Sequence, residues 1–190
     1  MASGGINTPL RVAAFVAQTA HESFAYRFLE ELADGTAYEG RQDLGNTQPG
    51  DGPLFKGRGY IGITGRANYR RAGRDLGIDL EGNPQLAARP DVAAAIAVWF
   101  WNLRDLSPLA DQGTQEAFDQ ITKKINGGFN GKASRDALWR NALTAIGSGG
   151  LNVGVSGDGS GLGDRISGTT KTLLISAAVV GAVWAISRRL

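Results

Sequence analysis

A histidine-glutamate-serine triplet, His21-Glu22-Ser23, closes an apolar run, and 35 positions after the glutamate begins Gly57-Arg58-Gly59-Tyr60-Ile61-Gly62-Ile63-Thr64. A carboxyl group carried on a rigid helix can deliver a proton to a fixed point, and glycines let a polymer approach the backbone closely. Two carboxylates across a groove are enough to hydrolyse a glycosidic bond: one protonates the leaving oxygen and the other activates water. Glu30 and Glu31 are both candidates for the second group. On an unbroken helix, nine positions are a rotation of ~900°, which sets Glu22 and Glu31 on opposite faces, whereas Glu30 falls nearly in line. Glu31 can share a cleft with Glu22 only if the helix ends between them, yet no glycine or proline intervenes before Gly35; Phe24-Ala25 follow the triplet instead. His21 reads as a packing and hydrogen-bonding support. Arg58, between two glycines, either orients a carboxylate or serves the structure. Tyr60 could stack on a sugar ring, while Trp99 and Trp101 fall in an apolar helix and read as core. Glu39 and Arg41 are placed to form an ion pair that ties down a long loop.

The elements that must hold these groups are helices. Thr8-Pro9 is a helix start, with threonine as N-cap and proline in the first turn, and the helix runs towards His21. Residues 33–58 are turn chemistry in quick succession, as in Asp34-Gly35 and Pro49-Gly50-Asp51-Gly52-Pro53, and so long an irregular stretch is usually functional. Further helices are predicted over 68–76, 91–103, 115–125 and 134–146. The helix over 91–103, with its AAAIAVWFW stretch, is apolar all round and therefore central. No sustained strand pattern occurs, although short strands are expected near 60–63.

Composition narrows the chemistry. The 190-residue chain has no cysteine, one histidine and a net charge of +2. Disulfides and thiolate sites are excluded, a zinc site is disfavoured, and no cofactor, metal or nucleic-acid partner is expected. Residues 1–8 lack the basic and apolar regions of a secretion signal. Residues 147–170 read as a glycine- and serine-rich linker. Residues 171–190 carry an uncharged apolar stretch, 172–187, flanked by Lys171 and Arg188-Arg189, and the expectation is a single transmembrane anchor. Within it Ala177, Gly181 and Ala185 have the spacing of a helix–helix self-association face.

Several blocks fall in one order: Phe15 to Ser23, Tyr38-Glu39-Gly40-Arg41, Asp43 to Thr47, Gly57-Arg58-Gly59, Thr64 to Tyr69 and Ile125-Asn126-Gly127-Gly128. Over residues 8–146 the chain resembles the family 19 glycoside hydrolases, the plant-type chitinases and their phage endolysin branch. The resemblance implies a mainly α, lysozyme-like domain over residues 1–146 with a long glycine-rich loop, cleaving β-1,4-linked N-acetylhexosamine chains with inversion. It implies Glu22 as general acid, Glu31 as general base and Thr64 as the hydroxyl that holds the attacking water, with Glu30 still open as the alternative base. Asn126, Arg135, Tyr60 and Asn68 are the substrate-side candidates; the resemblance implies Asn126 as a contact to substrate and water and Arg135 as the arginine that supports the acidic residues. The family normally has glutamine where Gly62 stands, so one amide contact to substrate is missing.

The functional expectation is a peptidoglycan hydrolase acting on glycan strands of the bacterial wall in phage lysis or entry. The membrane anchor would place it in a host inner membrane or a virion membrane. The alternatives are a chitinase of the same mechanism and a non-catalytic wall-binding virion protein.

Overall fold

The computed structural model describes residues 5–147, and the architecture is mainly α, as expected. In chain order the helices are α1 (Pro9–Glu22), α2 (Asp51–Leu54), α3 (Arg66–Leu76), α4 (Pro90–Leu103), α5 (Ser107–Ala110), α6 (Gln115–Asn126) and α7 (Lys132–Gly147). Single 3-10 turns lie at Thr36–Tyr38, Gln42–Leu44 and Pro84–Ala88. The expected strands near 60–63 reduce to isolated antiparallel bridges, Glu30 with Arg58 and Arg58 with Ile63.

The start of α1 is the one its sequence encodes: the Thr8 hydroxyl accepts from the Arg11 amide at 3.3 Å, with proline following it. A buried face from Ala13 to Ala20 then lies against α7. Helix α4 is central because it feeds two core clusters. Ala93, Ala94, Ala97, Val98 and Trp101 join Phe15, Phe118 and Trp139 in the first cluster. Val92 and Ile96 join Phe55, Tyr69 and Leu80 in the second. Phe15 meets Trp101 edge-on at 5.6 Å, and Phe118 stacks on Trp139 at 4.5 Å. The Trp101 indole N–H donates to Ser107 Oγ at 3.0 Å, so its polar atom is satisfied inside the core. Truncating a side chain of this size in such a site costs roughly 3–5 kcal/mol.

The long loop is fixed by buried polar contacts. Asp51 is buried, accepts the Thr47 and Gln48 amides at 3.0 Å each, and is ion-paired with Arg66 at the start of α3. Arg66 also reaches Glu81 at 3.1 Å. The expected Glu39–Arg41 pair is not the tie. Arg41 pairs with its near neighbour Asp43 at 2.6 Å, and the Glu39 carboxylate accepts the amides of Gly50 and Gly52 at 2.7 and 2.8 Å. Those amides lie at the opening turn of α2, where N–H groups lack helical partners.

The transmembrane part of the expectation is corrected. No helix among the described residues is long and apolar enough to cross a membrane. The segment 172–187 and the self-association face Ala177, Gly181 and Ala185 lie outside the described residues. The anchor, the membrane partner and the membrane location that depended on it are therefore set aside.

Candidate active site

Helix α1 ends where the geometry requires, and without a glycine. Glu22 is its last residue, and Phe24, Ala25 and Tyr26 follow with φ of 50°, 57° and 63°. Consecutive L-residues in the left-handed region cost roughly 1–2 kcal/mol each. Ser23 organises the bonds that offset this cost. Its buried hydroxyl donates to Thr19 O at 2.7 Å and accepts the Tyr26 amide at 3.0 Å, while its carbonyl accepts the Arg27 and Phe28 amides. The Ala25 amide reaches back to Ala20 O at 2.7 Å. This reversed turn redirects the chain so that Glu31, in an extended segment, lines the same cleft as Glu22.

Glu31 is held by neutral donors. The Gly57 amide donates to Oε2 at 2.8 Å, and the Tyr38 hydroxyl donates at 3.0 Å to Oε1. In turn, the Glu31 amide donates to Gly57 O at 2.9 Å. A Cβ on Gly57 would stand 2.8 Å from Glu31 Oε2 and 3.4 Å from Thr64 Oγ1, so any side chain here would push the carboxylate aside. The Glu31 carboxylate and the Thr64 hydroxyl thus both face Gly57 and line the same compartment. Thr64 donates its proton to Gly62 O at 2.9 Å, so its oxygen faces the cleft as an acceptor.

Glu30 is placed differently. Lys56 Nζ lies 3.1 Å and Arg58 Nη2 3.2 Å from its Oε1. Burial alone would raise its pKa, but these two cations outweigh it and hold the carboxyl below its ordinary value. Arg58 is itself buried, and also donates to Leu54 O at 2.9 Å and to the Tyr69 hydroxyl at 3.3 Å. Its orienting role falls on Glu30. The Tyr69 phenol, pushed up to about 12 by burial, stays protonated and donates to Lys56 O at 2.7 Å.

Glu22 has a charged partner. Arg135, 1 % exposed, donates to Glu22 Oε1 at 2.6 Å, to Gln18 Oε1 at 2.6 Å and to Asn130 O at 3.1 Å. Arg135 thus holds the acidic residue from behind and offers no surface to a ligand. His21 packs beside it, with Nδ1 3.0 Å from Ser134 Oγ. Burial and then the Arg135 cation push its imidazole below the ordinary value, with Glu22 opposing, so the ring is neutral near pH 7. Asn126 lines the compartment on this side of Glu22, and its Nδ2 is buried with no partner among the described residues.

The cleft is three adjoining compartments. The central one, about 440 Å³, holds Glu22, Glu31 and Thr64. Glu22 and Phe24 also line a second of about 500 Å³ with Asn126. Gly62 and Thr64 also line a third of about 510 Å³ with Asn68 and Arg71. Asn68 is exposed there, its amide donating to Thr64 O at 2.8 Å. Tyr60 is not on the cleft surface: it is 5 % exposed and meets Tyr26 edge-on at 5.3 Å within the first core cluster. Gly62 has open space where a Cβ would be, but its φ of 61° disfavours any longer residue in this backbone. Sequence reasoning missed Tyr38, Gly57 and Gln18 as partners of the two glutamates. Tyr38 and Gly57 fall in recognised blocks, so a signal existed; Gln18 is told apart from other helix polars by burial alone.

Two carboxylates in unlike environments across a groove, on a helical scaffold, define a glycan-hydrolase class of site. The family 19 glycoside hydrolase model, described as chitinase class I, matches residues 2–172, and the chain belongs to this family. It is 42 % identical over 124 residues to an endochitinase of Arabidopsis thaliana, covering 62 % of this chain and 39 % of that protein. Similarity to an Avena sativa endochitinase is 33 % over 156 residues, covering 82 % of this chain and 68 % of the relative. A glycosyl hydrolase family 19 domain-containing protein of Haemophilus influenzae is 35 % identical over 115 residues, covering 60 % and 54 %. Among solved structures, Streptomyces griseus chitinase C shares the fold at a TM-score of 0.59 and 23 % identity, covering 73 % of this chain and 60 % of that one. The class IV chitinase of Zea mays gives 0.55 and 26 %, covering 73 % and 69 %. The chain thus spans about two fifths of the length of the Arabidopsis relative. These relatives overturn the peptidoglycan expectation: the plant matches and the solved structures are chitinases by name, and the wall-lysis function and its peptidoglycan partner are withdrawn.

Proposed function

We propose that this domain is a chitinase, hydrolysing β-1,4-linked N-acetylglucosamine polymers with inversion at the anomeric carbon. The named relatives are plant and bacterial proteins, and they favour this reading over the phage endolysin branch. The observation that carries it is the left-handed turn after Ser23, which brings a helix-borne Glu22 and a loop-borne Glu31 to one cleft. Glu22 is the general acid. Arg135 fixes Oε1, and Oε2 has no donor among the described residues, so a proton there can pass to the glycosidic oxygen. Glu31 is the general base. Attacking water gives one proton to Glu31 and directs its other hydrogen to Thr64 Oγ1, which leaves a lone pair for the anomeric carbon. Tyr38 and the Gly57 amide hold the base in register.

The test is turnover of chitin oligomers by purified protein, with the anomer of the product followed by NMR as it forms. Inversion predicts the α-anomer first. Glu22→Gln and Glu31→Gln should each lower turnover by at least ~10²-fold, while Glu30→Gln should retain most of it. No hydrolysis of chitin oligomers by the wild type would defeat the reading, and a β-anomer product would defeat the mechanism.

A further inference from the structure

The acid–base pair leaves the apolar lining of the cleft unused. Phe24, Phe28 and Leu32 are all exposed among the described residues, and all three line the central compartment with Glu22 and Glu31. Single apolar residues scattered on a surface are ordinary, but three lining one cleft, two of them with rings in contact, are not. Phe24 stands apart from the other two. It is 72 % exposed, and it lines both compartments that meet at Glu22. Its φ of 50° is one that glycine would adopt without strain. A ring that buries so little contributes little to folding, yet it occupies a backbone position that disfavours it. Such an outlier beside a reacting carboxyl points to a ligand. Phe28 braces the ring edge-on, with centroids 6.0 Å apart at 82°.

We propose that Phe24, braced by Phe28, is a stacking platform for the pyranose ring adjoining the bond cleaved at Glu22. It is a specificity-determining residue and rests on the chitinase reading. A β-1,4-linked hexosamine has equatorial substituents, so each ring presents an apolar C–H face that matches an exposed phenyl group in a way no charged side chain does. Tyr60, the aromatic residue of the glycine-rich block, is buried in the core and cannot supply this contact.

The proposal is tested with Phe24→Gly, which relaxes the backbone while removing the ring, so loss of folding is not a concern. Steady-state kinetics on N-acetylglucosamine hexamer should show KM raised about three- to tenfold with kcat nearly unchanged. Phe24→Tyr should restore the wild-type KM, and Phe28→Ala should give a smaller rise. Calorimetric titration of the same hexamer into Glu22→Gln, with and without Phe24→Gly, reads the contact independently of turnover and should show the same weakening. If the wild type hydrolyses the hexamer but Phe24→Gly leaves both KM and binding unchanged, the platform is overturned and the chitinase reading stands. If the hexamer binds without being cleaved and Phe24→Gly weakens it, the platform stands and the hydrolase reading fails. A protein that neither binds nor cleaves the hexamer overturns both.

Discussion

Single side chains set the precision of this site, and Gly57 is the sharpest case. Its own backbone is unstrained, so alanine would fold there, but the added methyl group would stand 2.8 Å from the Glu31 carboxylate it should be helping to hold. Gly57→Ala is expected to lower kcat by about 10²-fold through displacement of the base. Thermal stability should change by only a few degrees, read by calorimetry. A kcat within twofold of wild type would show that Glu31 is not positioned by this amide. The resemblance names Glu22, Glu31 and Thr64 as a set with Arg135 in support, but the sequence cannot tell that Arg135 is enclosed behind Glu22 and out of a ligand's reach. That distinction is a matter of burial, and an arginine that is 1 % exposed looks in sequence like any other helix arginine.

At the level of elements, the helices were largely legible and the junctions were not. Threonine and proline announce α1, and the apolar stretch announces α4, because capping chemistry and periodicity are local properties. The end of α1 has no such mark: Ser23 to Tyr26 contain no breaker, and the turn is held by bonds back to Val16, Thr19 and Ala20 that only the folded helix offers. Tertiary contacts there override the local preference. It follows that Ala25→Gly, at φ 57°, should stabilise the protein by up to about 1 kcal/mol, a rise in Tm of roughly 3 °C, with kcat unaffected. The loop network makes a second prediction, about pH. Hydrogen bonding from Arg70, opposed by burial and joined by Arg66, holds the Glu81 carboxyl down at about 2 from an ordinary 4.5. A folded pKa below the unfolded one contributes stability that is present above about pH 4.5 and is lost as the pH falls towards 2. Arg70 is well exposed, so after screening the effect is on the order of 1 kcal/mol. Melting curves across that window should be flatter for Glu81→Gln than for wild type.

For the molecule as a whole, the two core clusters meet on α4 and draw their members from Ile6 to Ile146. We expect residues 1–147 alone to fold cooperatively and to retain turnover on chitin oligomers. A truncated protein that is unfolded by circular dichroism would show that later residues complete the core. Fold class could be read from the sequence because it follows from helical periodicity spread along the chain. Substrate could not, because glycan hydrolases share the same two carboxylates and differ in what lines the groove. The peptidoglycan expectation drew on the phage-endolysin resemblance, a short domain without disulfides and the apolar stretch 172–187, and it gave way when the relatives proved to be chitinases by name.

The contact between Glu22 and Arg135 constrains how this domain can change over generations. Arg135 is almost wholly enclosed, and Glu22 is its carboxylate partner at 2.6 Å. Removing one member of such a pair is far costlier than replacing both with apolar groups of similar size. A lineage that loses catalysis by mutating Glu22 first therefore inherits an enclosed guanidinium stripped of one of its acceptors. A lineage that mutates Arg135 first inherits an acid that nothing aims. Any descent that discards this acid must cross one of these weakened ancestors, so selection for a folded protein alone is enough to slow its loss.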